Sequence, residues 1–176
     1  MISTAQTSSA RVKVTRINQV SLVVRDLQKV VENYWHILGI GPWDIYSWEA
    51  PLIYERKYYG KPVWAREKIA MAQVGGVQLE LCQPIDGESI YQDYLMERGE
   101  GLHHLNFLVD NLDETVEILA GEGFPSLQSG RYGDNGAYNY IDIKPLHAIW
   151  EVIHLDEKKG AEVSHYPSTA QTSSAK

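Results

Sequence analysis

The stretch NQVSLVVRDLQKVV, Asn18–Val31, lies without a gap over HHLNFLVDNLDETV, His103–Val116, at an offset of 85. Val24 falls on Val109 and Leu27 on Leu112. The match recurs at the end of each half, where VQLELC (Val77–Cys82) lies over AIWEVI (Ala148–Ile153) at an offset of 71. A weak repeat of this kind reads as one supersecondary unit present twice. The offsets, 85 and 71, differ by 14 residues, so the first copy carries that much extra chain.

Local pattern defines the unit. Ile17–Val24 alternates, with Val20, Leu22 and Val24 on one face and Gln19, Ser21 and Val23 on the other. Asp26 predicts a helix N-cap. Leu27, Val30, Val31, Tyr34 and Leu38 then recur at helical spacing until Gly39 and Gly41-Pro42 stop the helix. Trp43–Trp48, Glu67–Val74 and Val77–Gln83 read as strands, the last two joined by a hairpin at Gly75-Gly76. Ser89–Arg98 reads as a helix ended by Gly99. The class is therefore α+β, with one βαβββ module at about 16–84, a linking helix at about 88–99 and a second module at about 101–154.

Residues 1–15 and 155–176 read as flexible tails. Each holds the octapeptide STAQTSSA, at Ser3–Ala10 and Ser168–Ala175, whose composition buries too little apolar surface to offset its ordering entropy. The surplus of the first module falls naturally on Ala50–Trp64, which carries Pro51, Pro62, Tyr54, Tyr58, Tyr59 and Trp64. Its neighbourhood is basic, with Arg56, Lys57, Lys61, Arg66 and Lys68 against Glu55 and Glu67. An insertion of this size in a compact domain is more often functional than idle. It reads as a lid, or else as a contact between subunits.

Composition narrows the function. The 176 residues are 44% hydrophobic and 22% charged, as in a soluble globular domain. No apolar run approaches the roughly 18 to 20 residues that span a bilayer, and the N-terminus has no secretory pattern, so a cytoplasmic location is expected. The net charge of −7 argues against nucleic acid and anionic membrane as partners. Cys82 is the one cysteine, so no internal disulfide forms. Eleven Tyr and five Trp suggest an aromatic pocket or a large buried interface.

Four polar residues occupy equivalent stations of the repeat: Gln19 over His104, and Glu80 over Glu151. Strand phase sets Glu80 opposite Val77, Leu79 and Leu81, and Glu151 opposite Ala148, Trp150 and Val152. His104 shares a face with Asn106, opposite Leu105, Phe107 and Val109. If each apolar face packs on its module's helix, all four face a common concave side. Taken singly, Gln19 reads as an ordinary strand residue and His104 as a satisfied half-buried histidine. Two glutamates in apolar strands are harder to dismiss, because buried acids are almost never left unpaired. A divalent cation is the simplest compensation, and one Gln, one His and two Glu suit Zn, Mn, Ni, Co or Fe(II). His103, His147 and His154 fall outside this pattern and read as surface residues or supports behind the ligands. Cys82 reads as a small buried residue.

At these residues the chain resembles the vicinal oxygen chelate superfamily, which includes glyoxalases, methylmalonyl-CoA epimerases, extradiol dioxygenases and bleomycin-resistance proteins. INQVSLVVRDLQKVVENYWHILGIGPW (17–43) is similar to its opening strand and helix. LELCQPIDGES (79–89), GEGLHHLNFLVDNLD (99–113) and the late WEVI (150–153) resemble the epimerase-like branch. The resemblance implies a curved, partly open mixed sheet, a homodimer, and one metal ligand from each of four strands at Gln19, Glu80, His104 and Glu151. That quartet is similar to the ligand set of zinc glyoxalase I.

The chemistry expected is proton abstraction next to a carbonyl, giving a metal-dependent lyase or isomerase of epimerase type. The substrate would be a small molecule with two neighbouring oxygens, and the metal a Lewis acid for the developing enolate. Glu151 or Glu80 would act as base. Tyr46, Trp48, Asn106, Tyr132, Tyr138 and Tyr140 are the expected pocket walls. One alternative is a metal-free small-molecule binding or resistance protein on the same fold. An Fe(II) dioxygenase is disfavoured, since it wants a second His where Gln19 stands.

Overall fold

The structure, a computed structural model, describes residues 12–158 and 160–168. The octapeptides lie outside the described residues, apart from Ser168. The first half contains β1 (Val14–Val23), α1 (Leu27–Leu38), β2 (Trp43–Trp48), β3 (Ile53–Tyr58), β4 (Lys61–Pro62), β5 (Ala65–Val74) and β6 (Val77–Gly87). After α2 (Ile90–Glu97) come β7 (Gly101–Val109), α3 (Leu112–Gly121), β8 (Ser126–Tyr132), β9 (Gly136–Ile143), β10 (Ala148–His154) and β11 (Val163–Tyr166).

Helix α1 starts where Asp26 accepts a hydrogen bond from the Lys29 N–H at 3.1 Å, and stops at Gly39, whose φ of 66° costs little without a Cβ. Asn111 caps α3 in the same way, at the equivalent place in the second half.

All described strands join one open sheet in the order β11-β2-β5-β6-β1-β7-β10-β9-β8-β3-β4. Its centre is the antiparallel seam of β1 on β7, flanked by parallel β6 and β10. The register repeats the offsets of the sequence. Gln19 pairs with Asn106 and His104 with Ser21, and each pair is the other's image at an offset of 85. Ser21 faces Glu80 across β1–β6 just as Asn106 faces Glu151 across β7–β10. The two halves are therefore related by a pseudo-twofold axis through the seam.

Each outer face packs on its own helix. Val24, Leu27, Val31, Ala70 and Leu81 form one outer cluster, while Val109, Ile141, Val152 and the partly buried Val116 form the other. The inner faces enclose a third, aromatic cluster with Trp48, Tyr132, Tyr138 and Tyr140, closed at one end by Ile90, Tyr91 and Leu95 of α2.

Two segments differ from the sequence reading. The inserted stretch is no loose flap: it is the β3–β4 hairpin, stitched along β8 of the second half, with Leu52 and Ile53 in the inner cluster. Between Tyr54 and Lys57 a bulge, with Glu55 at a φ of 49°, brings Arg56 into the buried interior. The segment expected as a tail from residue 155 instead crosses the inner face and pairs β11 along β2, where Tyr166 is buried and its hydroxyl lies 3.1 Å from His36 Nε2. No apolar alternation marks that strand, and what orders it is the open edge of β2 together with one aromatic anchor. Among the described residues no helix is long and apolar enough to cross a membrane.

Candidate functional site

Gln19, Glu80, His104 and Glu151 are all buried, one on each of the four central strands β1, β6, β7 and β10. Three heads meet directly. His104 Nε2 lies 3.4 Å from Glu80 Oε2 and 3.3 Å from Glu151 Oε2, a charge contact without an aligned hydrogen bond. Gln19 borders the same cavity, but its amide N–H donates to Gln78 Oε1 at 2.8 Å.

Each head has supports from its own half. Asn106 Nδ2 donates to Glu151, while Asn106 Oδ1 has no partner. Cys82 Sγ donates to Glu80 at 3.3 Å and lies 3.3 Å from Ser21 Oγ. A bulge in β7 leaves His103 out of the ladder, and its ring lies edge-on to His104 with the two Nδ1 atoms 2.9 Å apart. Sequence phase set His103 on the opposite face because strict alternation cannot foresee a bulge. His147 and His154 are exposed.

Burial disfavours charge here, and the partners decide the outcome. Desolvation alone would lower the His104 pKa, but Glu151 and Glu80 override it and hold the ring at about 9. Burial likewise opposes a charged Glu80, yet His104, Ser21 and Cys82 bring its carboxyl below the usual range. Burial pushes the Cys82 thiol well up, which fits an inert structural cysteine.

His104 lies behind the glutamates and lines the groove on their far side, while Gln19, Glu80 and Glu151 border a cavity of about 40 Å³, space for a few waters and no more. Trp48, Asn106, Tyr132, Tyr138 and Tyr140 line it as the sequence suggests; Tyr46 does not, and borders an outer groove instead. Sequence reasoning missed Gln78, Tyr91 and Lys158, which also line it. Gln78 shares the strand phase of Glu80 and was findable. Tyr91 comes from the linking helix, and its hydroxyl lies 2.6 Å from that of Tyr140. Lys158 comes from the segment read as tail. A larger groove of about 720 Å³ runs on the far side of His104, between α2 and β10, with walls that include His103, Tyr94, Asp142 and Lys144.

The donor set can be tested against a divalent ion. Bonds of about 2.0 to 2.2 Å set neighbouring donors roughly 3.0 to 3.4 Å apart, depending on geometry. The contacts of 3.4 and 3.3 Å fall at the upper end of that span. Three buried polar atoms, His104 Nε2 against the glutamates and Asn106 Oδ1 and Tyr138 OH on residues of the cavity wall, lack an aligned hydrogen bond, and buried groups of this kind call for water, an ion or a ligand. Among the described residues no group of three acidic, His or Cys side chains already stands in ion-holding arrangement; the two carboxylates close on the imidazole instead. The residues therefore fit an ion by their chemistry, while their arrangement as it stands would not hold one.

Comparison with known proteins accords with this architecture. The structure superimposes on a methylmalonyl-CoA epimerase from Mycobacterium tuberculosis with a TM-score of 0.60, at 23% identity, covering 86% of this chain and 95% of that one. A Streptomyces coelicolor methylmalonyl-CoA epimerase in complex with 2-nitronate-propionyl-CoA gives a TM-score of 0.58 at 21% identity, covering 80% of this chain and 97% of the other. In sequence the chain is 32% identical over 93 residues to the uncharacterized protein YqjC of Bacillus subtilis (strain 168), a match spanning 52% of this chain and 66% of that protein. Residues 18–140 match the family described as the glyoxalase/bleomycin resistance protein/dioxygenase superfamily. The chain belongs to that superfamily.

Proposed function

We propose that the protein is a divalent-metal-dependent isomerase or lyase of epimerase type, which moves a proton next to a carbonyl of a small molecule with two neighbouring oxygens. One observation carries the reading: His104 Nε2, without an aligned hydrogen bond, stands between two buried glutamates contributed by the two halves of the chain. Such a pair of carboxylates costs desolvation and mutual repulsion that a cation relieves. Methylmalonyl-CoA epimerases share the fold, which supports the reaction class.

Gln19, Glu80, His104 and Glu151 would hold the ion. A bound divalent ion supplies Lewis-acid stabilisation of negative charge on the substrate oxygens. Glu151 is the base, taking the proton from the substrate carbon, and the Asn106 amide on its Oε2 fixes the direction of the carboxylate. Glu80, on the other side of His104 and with its carboxyl held below the usual range, has no proton to give, so Glu151 itself returns the proton it took. Trp48, Tyr132 and Tyr138 exclude water. The phenols of Tyr91 and Tyr140, both pushed well up by burial, stay protonated as hydrogen-bond donors.

Elemental analysis of protein purified without chelator tests the ion, with about one equivalent expected. Deuterium exchange into 2-oxo acids, hydroxyketones and acyl thioesters then tests the chemistry, and Glu151→Gln should abolish exchange in a folded protein. An ion-free protein with intact ligand binding would favour the metal-free binding alternative.

A further inference from the structure

The inner cavity is bordered by a strap whose composition carries no sign of a role. β10 ends at His154 and β11 begins at Val163 beside β2, so residues 155–158 and 160–162 lie on the crossing from one half of the sheet to the other. They cross on the inner side, because Leu155 and Lys158 line the cavity and Ala161 packs on the aromatic cluster. The strap is stapled at its start. Asp156 accepts the Asp134 and Asn135 N–H groups at 2.8 and 2.7 Å. The Glu157 carbonyl also approaches Gly133 so closely that a Cβ there would collide with it.

Lys158 follows the staple. Its ammonium lies over the Tyr46 ring, 5.1 Å from the centroid, and it borders the cavity with Gln19, Glu80 and Glu151. Among the described residues it forms no ion pair. Burial favours its neutral form, against a weaker pull from Glu80, Asp44 and Glu151. The basic insertion does not supply this charge to the cavity, since Arg56 is committed to Glu67 and Lys57, Lys61 and Lys68 are exposed.

Charge balance then points to the occupant. In the ion-loaded site proposed above, Glu80 and Glu151 neutralise a divalent cation and His104 is neutral, so a protonated Lys158 finds no counter-charge left in the cavity. We propose that Lys158 anchors a carboxylate of the substrate, which is therefore a small organic acid carrying a further acid group beyond its two chelating oxygens. The cavity of about 40 Å³ has to widen to admit such a molecule. This assignment rests on the ion-binding reading.

The test uses the full chain. It is titrated by calorimetry with Zn²⁺ and then, ion-loaded, with malate and with the 4-monoamide of malate, which keeps the 2-hydroxy acid but lacks the second charge. Malate should bind more tightly than the amide. Lys158→Met should weaken malate roughly 10- to 100-fold, as for loss of a charge-assisted contact, and leave the amide unchanged. Lys158→Arg should retain the preference. Equal malate affinity in wild type and Lys158→Met, or no malate binding by wild type, overturns the anchor and leaves the ion reading intact. If Lys158→Met merely tightens Zn²⁺ and leaves malate untouched, the lysine only neutralises the glutamates and the anchor is overturned. Failure of wild type to take up Zn²⁺ is seen in the first titration alone and overturns the ion reading, the anchor falling with it.

Discussion

Arg56 and Glu67 sit in different halves of the sheet and grip each other through both guanidinium nitrogens, with Arg56 Nη1 2.7 Å from Glu67 Oε2. Arg56 belongs to the hairpin docked on β8, Glu67 to β5, and Glu67 is fully buried. Removing one partner strands the other charge in the interior. Arg56→Met should therefore cost roughly 3 to 5 kcal/mol, whereas Arg56→Met with Glu67→Leu should recover most of it. Urea denaturation of the three proteins decides this; equal loss in the single and double variants would mean that the hairpin, not the pair, carries the stability.

His104 makes the ion-free protein sensitive to alkali. Its pKa of about 9 lies above the ordinary 6.5, despite burial, because of Glu151 and Glu80. The stabilisation from the protonated ring is complete below about pH 6.5 and is lost as pH rises through about 9. Chelator-treated protein should lose thermal stability over that window, and His104→Gln should flatten the loss. Divalent ions should show the opposite trend, binding more tightly as the ring deprotonates, with proton release measurable in buffers of different ionisation enthalpy.

Asn106 is expected to act through Glu151. Its amide donates to that carboxylate, and Asn106→Leu removes the donor while keeping the volume. Ion affinity should fall roughly 10- to 100-fold, with little change in circular dichroism. An unaltered affinity would show that Glu151 needs no outside orientation.

Asp156 holds the strap. The Asn135 and Glu157 N–H groups bring its carboxyl down to about 2, from 3.8. The staple is thus intact above pH of about 4 and loosens as pH falls through about 2. At neutral pH, Asp156→Ala should accelerate hydrogen exchange of the Asp134 and Asn135 amides and of the strap itself. Unchanged exchange would place the strap's anchorage in β11 alone.

Much of this molecule could be read from spacing. The offsets of 85 and 71 reappear as strand register, since a duplicated hydrophobic phase can satisfy both outer helices in only one pairing. The same phase placed Gln19, Glu80, His104 and Glu151 on the inner face. What remained hidden was decided by tertiary context. His103 turned inward at a bulge, which costs one residue of alternation and leaves no mark in composition. Tyr46 lies on β2 only two residues before Trp48, yet it borders the outer groove and not the cavity that Trp48 lines. Lys158 sits in a polar segment held by Asp156 and by pairing to β2, contacts that have no local signature.

The ends of the sheet have a consequence for assembly. Among the described residues one terminates in β4, the two residues Lys61–Pro62, and the other in the four residues of β11. Proline offers no N–H to a newcomer and the lysine beside it is exposed, while a four-residue rim gives little length to copy. Two such chains meeting in solution would gain little by lengthening one another's sheet, so any stable pair has to be built from helix faces, loops or side chains, and its two-fold would be independent of the one already written into the duplicated fold.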